Sequence, residues 1–207
     1  MRKHRTSKIH CTILILSLTL IFPTSSQAYN ILKTDDGLAY LSVLKDPSIT
    51  FQSWSGFTQE TRWAIDYASR QWNNRTGQTK LFHSATQHGE ANKLPTHDNR
   101  NLITKMSLTG TRFADFLMVT GPVFKLYGSK YQICEVDIVI NSDFPWRNNG
   151  STAGYDVQNV MTHELGHMLG LDHTDVAWAT MIEGTNKGDT WKRTLEQDDL
   201  NGFNAIY

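Results

Sequence analysis

Eleven consecutive residues limit this chain more than any other feature: His163-Glu164-Leu165-Gly166-His167-Met168-Leu169-Gly170-Leu171-Asp172-His173. Histidines four apart on a helix lie one turn above each other on the same face, so both imidazoles can reach one zinc ion at about 2.0–2.1 Å. A third ligand beyond Gly170 needs a chain reversal, which glycine permits because it adopts positive φ without penalty. His163, His167 and His173 are therefore expected to hold zinc, with Gly170 as the supporting turn. Three protein ligands leave a coordination position free, as catalytic zinc requires and structural zinc does not. Glu164, beside the metal, is the candidate general base for activating water. At average residue usage the five fixed positions recur by chance at on the order of one site in ten million.

The surrounding sequence supplies the helix that this pattern needs. Val157, Val160, Met161, Leu165, Met168 and Leu169 form one apolar face from a start near Asp156, and Gly170 stops it. An earlier helix is expected from about Thr58 to Asn74, with Thr58 as N-cap and Gly77 at its end. A third is expected near the C-terminus, where Leu195, Leu200, Phe203 and Ile206 repeat at helical spacing behind Glu196, Asp198 and Asp199. Leu38 to Leu44, Ile49 to Trp54, Leu102 to Leu108, Phe113 to Val119 and Ile133 to Ile140 read as strands, with Gly121-Pro122 closing the fourth. The polar stretch from His83 to Arg100 reads mostly as loop.

With 207 residues and 39% hydrophobic content, one globular domain can bury its own core. No internal repeat or low-complexity linker argues for a second. Twenty basic and twenty acidic side chains balance, so charge points to neither nucleic acid nor an anionic membrane. Arg2, Lys3, Arg5 and Lys8 precede the apolar run Ile13 to Phe22 and the small residues ending at Ala28, the pattern of a signal peptide over 1–28, with 29–207 as the mature domain. The run is shorter than the roughly 20 residues that span a bilayer. Export to the extracellular space or a periplasm is expected, with no stable membrane anchor and a monomeric chain. Cys11 would leave with the signal, and Cys134, at the start of an apolar strand, is expected to be a buried thiol.

The extended zinc motif, with Met181 in Ala179-Thr180-Met181-Ile182 where a methionine turn is expected, resembles the metzincin zinc peptidases. Within them the chain looks most like the matrixins, the matrix metalloproteinase family. Thr174 follows the third histidine, Leu195 to Phe203 resembles the closing helix, and Val136 to Asn141 resembles the strand before the active-site helix. The resemblance covers roughly Ile49 to Tyr207. It implies an α+β fold with a twisted, mixed five-stranded sheet and three helices. It also implies zinc-dependent hydrolysis of internal peptide bonds and an edge strand that pairs with an extended protein or peptide substrate. Met181 would support the metal from below.

Other family features transfer less directly. Ile182-Glu183-Gly184 replace the usual Tyr-Pro after the methionine, which leaves the specificity pocket open to a different shape. No segment resembles the cysteine-bearing propeptide. Matrixins also carry a second, structural zinc, for which His83, His88, His97 and Asp98 are metal-capable groups although their spacing differs; the sequence leaves open a second ion, zinc or calcium. Asp198 and Asp199 read as acids favourable at a helix start. In matrixins one of such a pair can bind the mature N-terminal amine, which would make Tyr29 its partner. The rival to an enzyme is a zinc-containing protein of the same fold that binds peptides without cutting them.

Overall fold

Thr58 opens the first long helix because its extended backbone lets the hydroxyl accept from the Thr61 N–H at 3.3 Å. The helix, α1 (Gln59–Thr76), closes on Gly77 at φ 70°, a conformation that costs glycine least. Its Ala64, Ile65, Ala68 and Trp72 are buried, and Trp72 Nε1 donates to Thr162 O at 2.9 Å, which ties this face to the second helix.

The structure is a computed structural model that describes residues 28–33, 48–78, 81–127 and 130–207. The expected signal segment up to Gln27 and the expected strand Leu38 to Leu44 lie outside them. In chain order the strands are β1 (Asn30–Ile31), β2 (Ile49–Ser53), β3 (Phe82–Ser84), β4 (Asn101–Met106), β5 (Met118–Tyr127), β6 (Lys130–Asn141), β7 (Trp146–Arg147), β8 (Tyr155–Asp156) and β9 (Leu171–Asp172). The remaining helices are α2 (Val157–Met168) and α3 (Gln197–Ile206), with a 3-10 turn at Trp191–Arg193.

Five strands form one sheet in the order β3-β2-β4-β6-β5. The first three pairings are parallel and the last is antiparallel, so the sheet is mixed and β5 is an edge. The α+β class with a mixed five-stranded sheet and three helices is as expected. The core lies between this sheet and the helices, built from Phe51, Ile65, Trp72, Ile103, Ile138, Met161 and Leu165, each nearly inaccessible. Burying such a side chain contributes about 1.5–3 kcal/mol, enough in sum to hold α2 against the sheet.

Three local expectations need correction. Phe113 to Leu117 is turn rather than strand: the Phe116 N–H donates to Phe113 O at 3.0 Å, and β5 begins only at Met118. It then runs through Gly121 and Pro122, because an edge strand tolerates a residue without an N–H. Gly121 is required there, since a Cβ would stand 2.4 Å from Pro95 Cβ in the loop lying over it. Cys134 is exposed, not buried. Val123 pairs with Glu135 and Phe124 with Ile133, so Cys134 is the extra residue of a bulge and the in-out alternation breaks at it.

Candidate metal centre

Asp156 starts α2. Its carboxylate accepts from the Asn159 N–H at 3.0 Å and from the Arg193 guanidinium at 2.5 and 2.8 Å, which fixes the helix start against the 3-10 turn. Two turns beyond this start, His163 and His167 project from the same face. Gly170 at φ 92° then reverses the chain into β9. That strand pairs antiparallel with β1, and Leu32 N donates to Gly170 O at 2.9 Å, so His173 is delivered back over the helix.

The three Nε2 atoms form a near-equilateral triangle with sides of 3.1, 3.2 and 3.2 Å. His163 Nδ1 lies 2.7 Å from Thr180 O, and His167 Nδ1 lies 2.8 Å from Leu171 O. A carbonyl only accepts, so both Nδ1 atoms carry the proton and both Nε2 atoms present lone pairs. Burial pushes His163 well below its usual pKa, reinforced by His167 and Lys192, and burial likewise lowers His167 and His173. Neutral rings with lone pairs converging at this separation repel unless a cation lies among them. Nitrogens bound tetrahedrally at about 2.0–2.1 Å stand about 3.3–3.4 Å apart, so the triangle fits zinc. Among the described residues these three form the one group of metal-capable side chains close enough to share an ion.

Glu164, next on the helix, is buried and faces the cleft between α2 and β5. Thr120 Oγ1 donates to its Oε2 at 2.5 Å. Burial raises its pKa, and the threonine hydroxyl opposes that shift. A cavity of about 710 Å³ opens here, lined by Glu164, the three histidines, Val119 and Thr120 of β5, and the segment after Met181.

Below the triad, Met181 packs under α2. A Cβ on Gly166 would stand 2.2 Å from Met181 Sδ, so this glycine is the space into which the methionine fits. The Thr174 N–H donates to Met181 O at 3.1 Å.

A family model described as Matrixin matches residues 24–207. The chain belongs to the matrixin family.

Three related proteins fit that assignment over shorter stretches. Human matrix metalloproteinase-27 is 38% identical over 71 residues, 34% of this chain and 14% of that protein. Human matrilysin is 35% identical over 71 residues, 34% of this chain and 26% of that protein. Metalloendoproteinase 5-MMP of Arabidopsis thaliana is 34% identical over 70 residues, 34% of this chain and 19% of that protein. The matched stretches thus span about a quarter or less of these relatives. Among solved structures, the zinc-protease hatching enzyme high choriolytic enzyme 1 of Oryzias latipes aligns with 88% of this chain and 95% of its own at 14% identity and a TM-score of 0.39.

Several residues of this matrixin that the sequence left unassigned, or assigned otherwise, now have definite places. Asp199 is no mere helix-dipole acid. Buried, it accepts from Thr180 N at 2.9 Å, Met181 N at 3.0 Å and Glu196 N at 2.8 Å. Because Thr180 O orients His163, one carboxylate couples the closing helix to the triad. Asp198 keeps one buried oxygen without a partner, beside Thr174, whose hydroxyl donates to Ala28 O at 2.8 Å. Burial raises the Asp198 pKa. Asp198 is thus the member of the pair with a free oxygen, beside the Thr174 hydroxyl that donates to Ala28 O.

The loop histidines considered for a second metal are not brought together. His83 lies in β3, His88 Nε2 contacts Ile103 O at 3.2 Å, and His97 Nδ1 meets Glu135 at 2.8 Å. Asp98 pairs with Lys93 and Arg100, which also meet Glu90. Glu135 further accepts from the Asp98 and Asn99 N–H groups, and Asp137 from those of Thr96 and Leu102. Protein charges and backbone donors therefore hold this loop on the sheet.

Proposed function

We propose that this matrixin is an exported zinc metalloendopeptidase that hydrolyses internal peptide bonds of proteins. The observation carrying the proposal is the Nε2 triangle of His163, His167 and His173 with the buried Glu164 carboxylate beside it, all opening onto one cleft. Zinc held by those three nitrogens would supply Lewis acidity, polarising the peptide carbonyl and lowering the pKa of water at the site. Glu164 takes the proton from the attacking water and passes it to the departing amine. Its burial favours the protonated form after the first transfer, while the Thr120 hydroxyl keeps the carboxylate aimed. Met118, Val119 and Thr120 of the edge strand β5 line the cleft, and the unpaired edge of that strand would offer an extended peptide a partner by strand addition.

Met181 and Gly170 act as support, one by packing under α2 and the other by turning the chain to His173. Export fits the signal-like pattern over 1–28, and residues 29–207 would then be the mature, monomeric domain.

Replacing the base tests this reading. Glu164→Ala should retain one zinc per chain, read by metal analysis, and lose at least ~100-fold in turnover of a casein digest. Undiminished turnover in that variant would overturn the assignment of Glu164.

A further inference from the structure

Lys192 stands in the wall of the same cavity, in the 3-10 turn, and is buried. Its backbone N–H donates to Asn159 Oδ1 at 2.8 Å, and Asn159 Nδ2 donates to Thr185 Oγ1 at 3.0 Å. The fully buried Asn159 thus clamps both the turn and the segment after Met181 to α2.

The ammonium group has few partners. It donates to Ile182 O and lies 5.2 Å from the Trp191 ring centroid, and neither bears a charge. No carboxylate of the described residues comes within 4.0 Å of it. The acids that act on it from further away are Glu164, Asp199, Asp189 and Glu183. The first three are engaged by Thr120, by backbone N–H groups near Met181, and by Asn186 and Thr185, respectively. Burial lowers the Lys192 pKa to about 8, which still leaves it mainly charged at neutral pH.

A buried cation with one neutral acceptor keeps donors unused, and leaving them so is costly. The same cavity is lined by Phe144, Tyr155, Val160 and Val119, which suit the methylenes of a side chain, and by the acids Glu164, Glu183, Asp115 and Asp172, so that Lys192 is the one lysine or arginine in its wall. A ligand combining a short apolar stem with a terminal carboxylate matches both surfaces.

We propose that the cavity beside the histidine triad is a carboxylate-recognising subsite with Lys192 as its cation, so that the chain selects peptides bearing Glu or Asp next to the scissile bond. This rests on the peptidase reading of the cleft, and the test separates the two.

A diverse peptide mixture is digested with the parent, Lys192→Met and Lys192→Gln, after thermal scans establish that each variant is folded, and the residues flanking new termini are read by mass spectrometry. The parent should be enriched for Glu and Asp at one flanking position. The ratio of kcat/KM for a Glu nonapeptide over its Leu counterpart should fall roughly tenfold or more in both variants. An apolar preference in the parent, or an unchanged ratio with a uniform loss of rate, would overturn the proposal and leave Lys192 as a strut for the Ile182 carbonyl. If the parent cuts nothing, the peptidase reading fails. The subsite is then judged by titrating the same two nonapeptides into zinc-loaded protein while following fluorescence anisotropy: roughly tenfold tighter binding of the Glu peptide, lost in Lys192→Met, upholds it, and equal binding overturns it.

Discussion

Removing one charge from α3 should loosen the metal centre on α2. Asp199→Asn keeps size and shape but offers one acceptor oxygen where the carboxylate offers two. If the amide oxygen stays with the Thr180 and Glu196 N–H groups, the amide nitrogen faces the Met181 N–H and leaves that buried donor unpaired. Hydrogen bonds to a charged acceptor contribute about 1.5–3 kcal/mol each, and an orphaned buried donor costs about 1–3 kcal/mol. With one bond lost and two weakened, the expected destabilisation is about 2–4 kcal/mol, or roughly 4–16 °C in Tm for a domain of this size. The same change frees the turn whose Thr180 carbonyl orients His163, and loss of such an outer partner weakens metal affinity by roughly 10–100-fold. Urea unfolding in the presence of a chelator measures the first effect, and competition against a chromophoric zinc chelator measures the second. A destabilisation below about 0.5 kcal/mol together with unchanged zinc affinity would refute the coupling between α3 and the triad.

Two further perturbations probe packing and charge. Gly166→Ala places a methyl against Met181 Sδ and Trp72 Cζ2 and should cost about 1–3 kcal/mol in unfolding free energy, whereas a neutral result would mean that the methionine does not fill that space. Burial alone would raise the Asp98 pKa, but hydrogen bonds from Lys93 and Arg100 outweigh it and hold the carboxyl at about 2, below its ordinary 3.8. A depressed folded-state pKa contributes stability that is present above the unfolded value and lost as pH falls. The parent should therefore lose stability between pH 4 and pH 2 more steeply than Asp98→Asn, and parallel acid-denaturation curves would contradict the ion-pair lattice.

What the sequence made legible follows from which interactions are local. His163, Glu164 and His167 are bound to one helix turn by spacing, and Gly170 marks the reversal to His173, so the triad was readable before any fold was known. The caps Thr58 and Gly77 and the helix start near Asp156 were readable for the same reason, since capping acts within four residues, whereas the hold of Asp156 on Arg193, 37 residues away, was not. Thr120, Lys192 and Asp199 were not, because their roles depend on partners 44, 10 and 18 to 19 residues away. The start of β5 was missed because the apolar run Phe113 to Val119 has no alternation to separate turn from strand. The exposure of Cys134 was missed because a bulge shifts the pattern by one residue without any mark in composition. The loop histidines drew notice as metal-capable types, yet Glu135 and Asp137, two residues apart on β6, claim that loop instead.

Cleavage itself is the most direct measurement. The purified, zinc-loaded chain and its Glu164→Ala variant are incubated with a diverse peptide mixture, and new termini are read by mass spectrometry. New internal cuts by the parent and none by the variant are the predicted result. Peptide binding without new termini in either would contradict the account and identify a zinc-containing peptide-binding protein built on the matrixin fold.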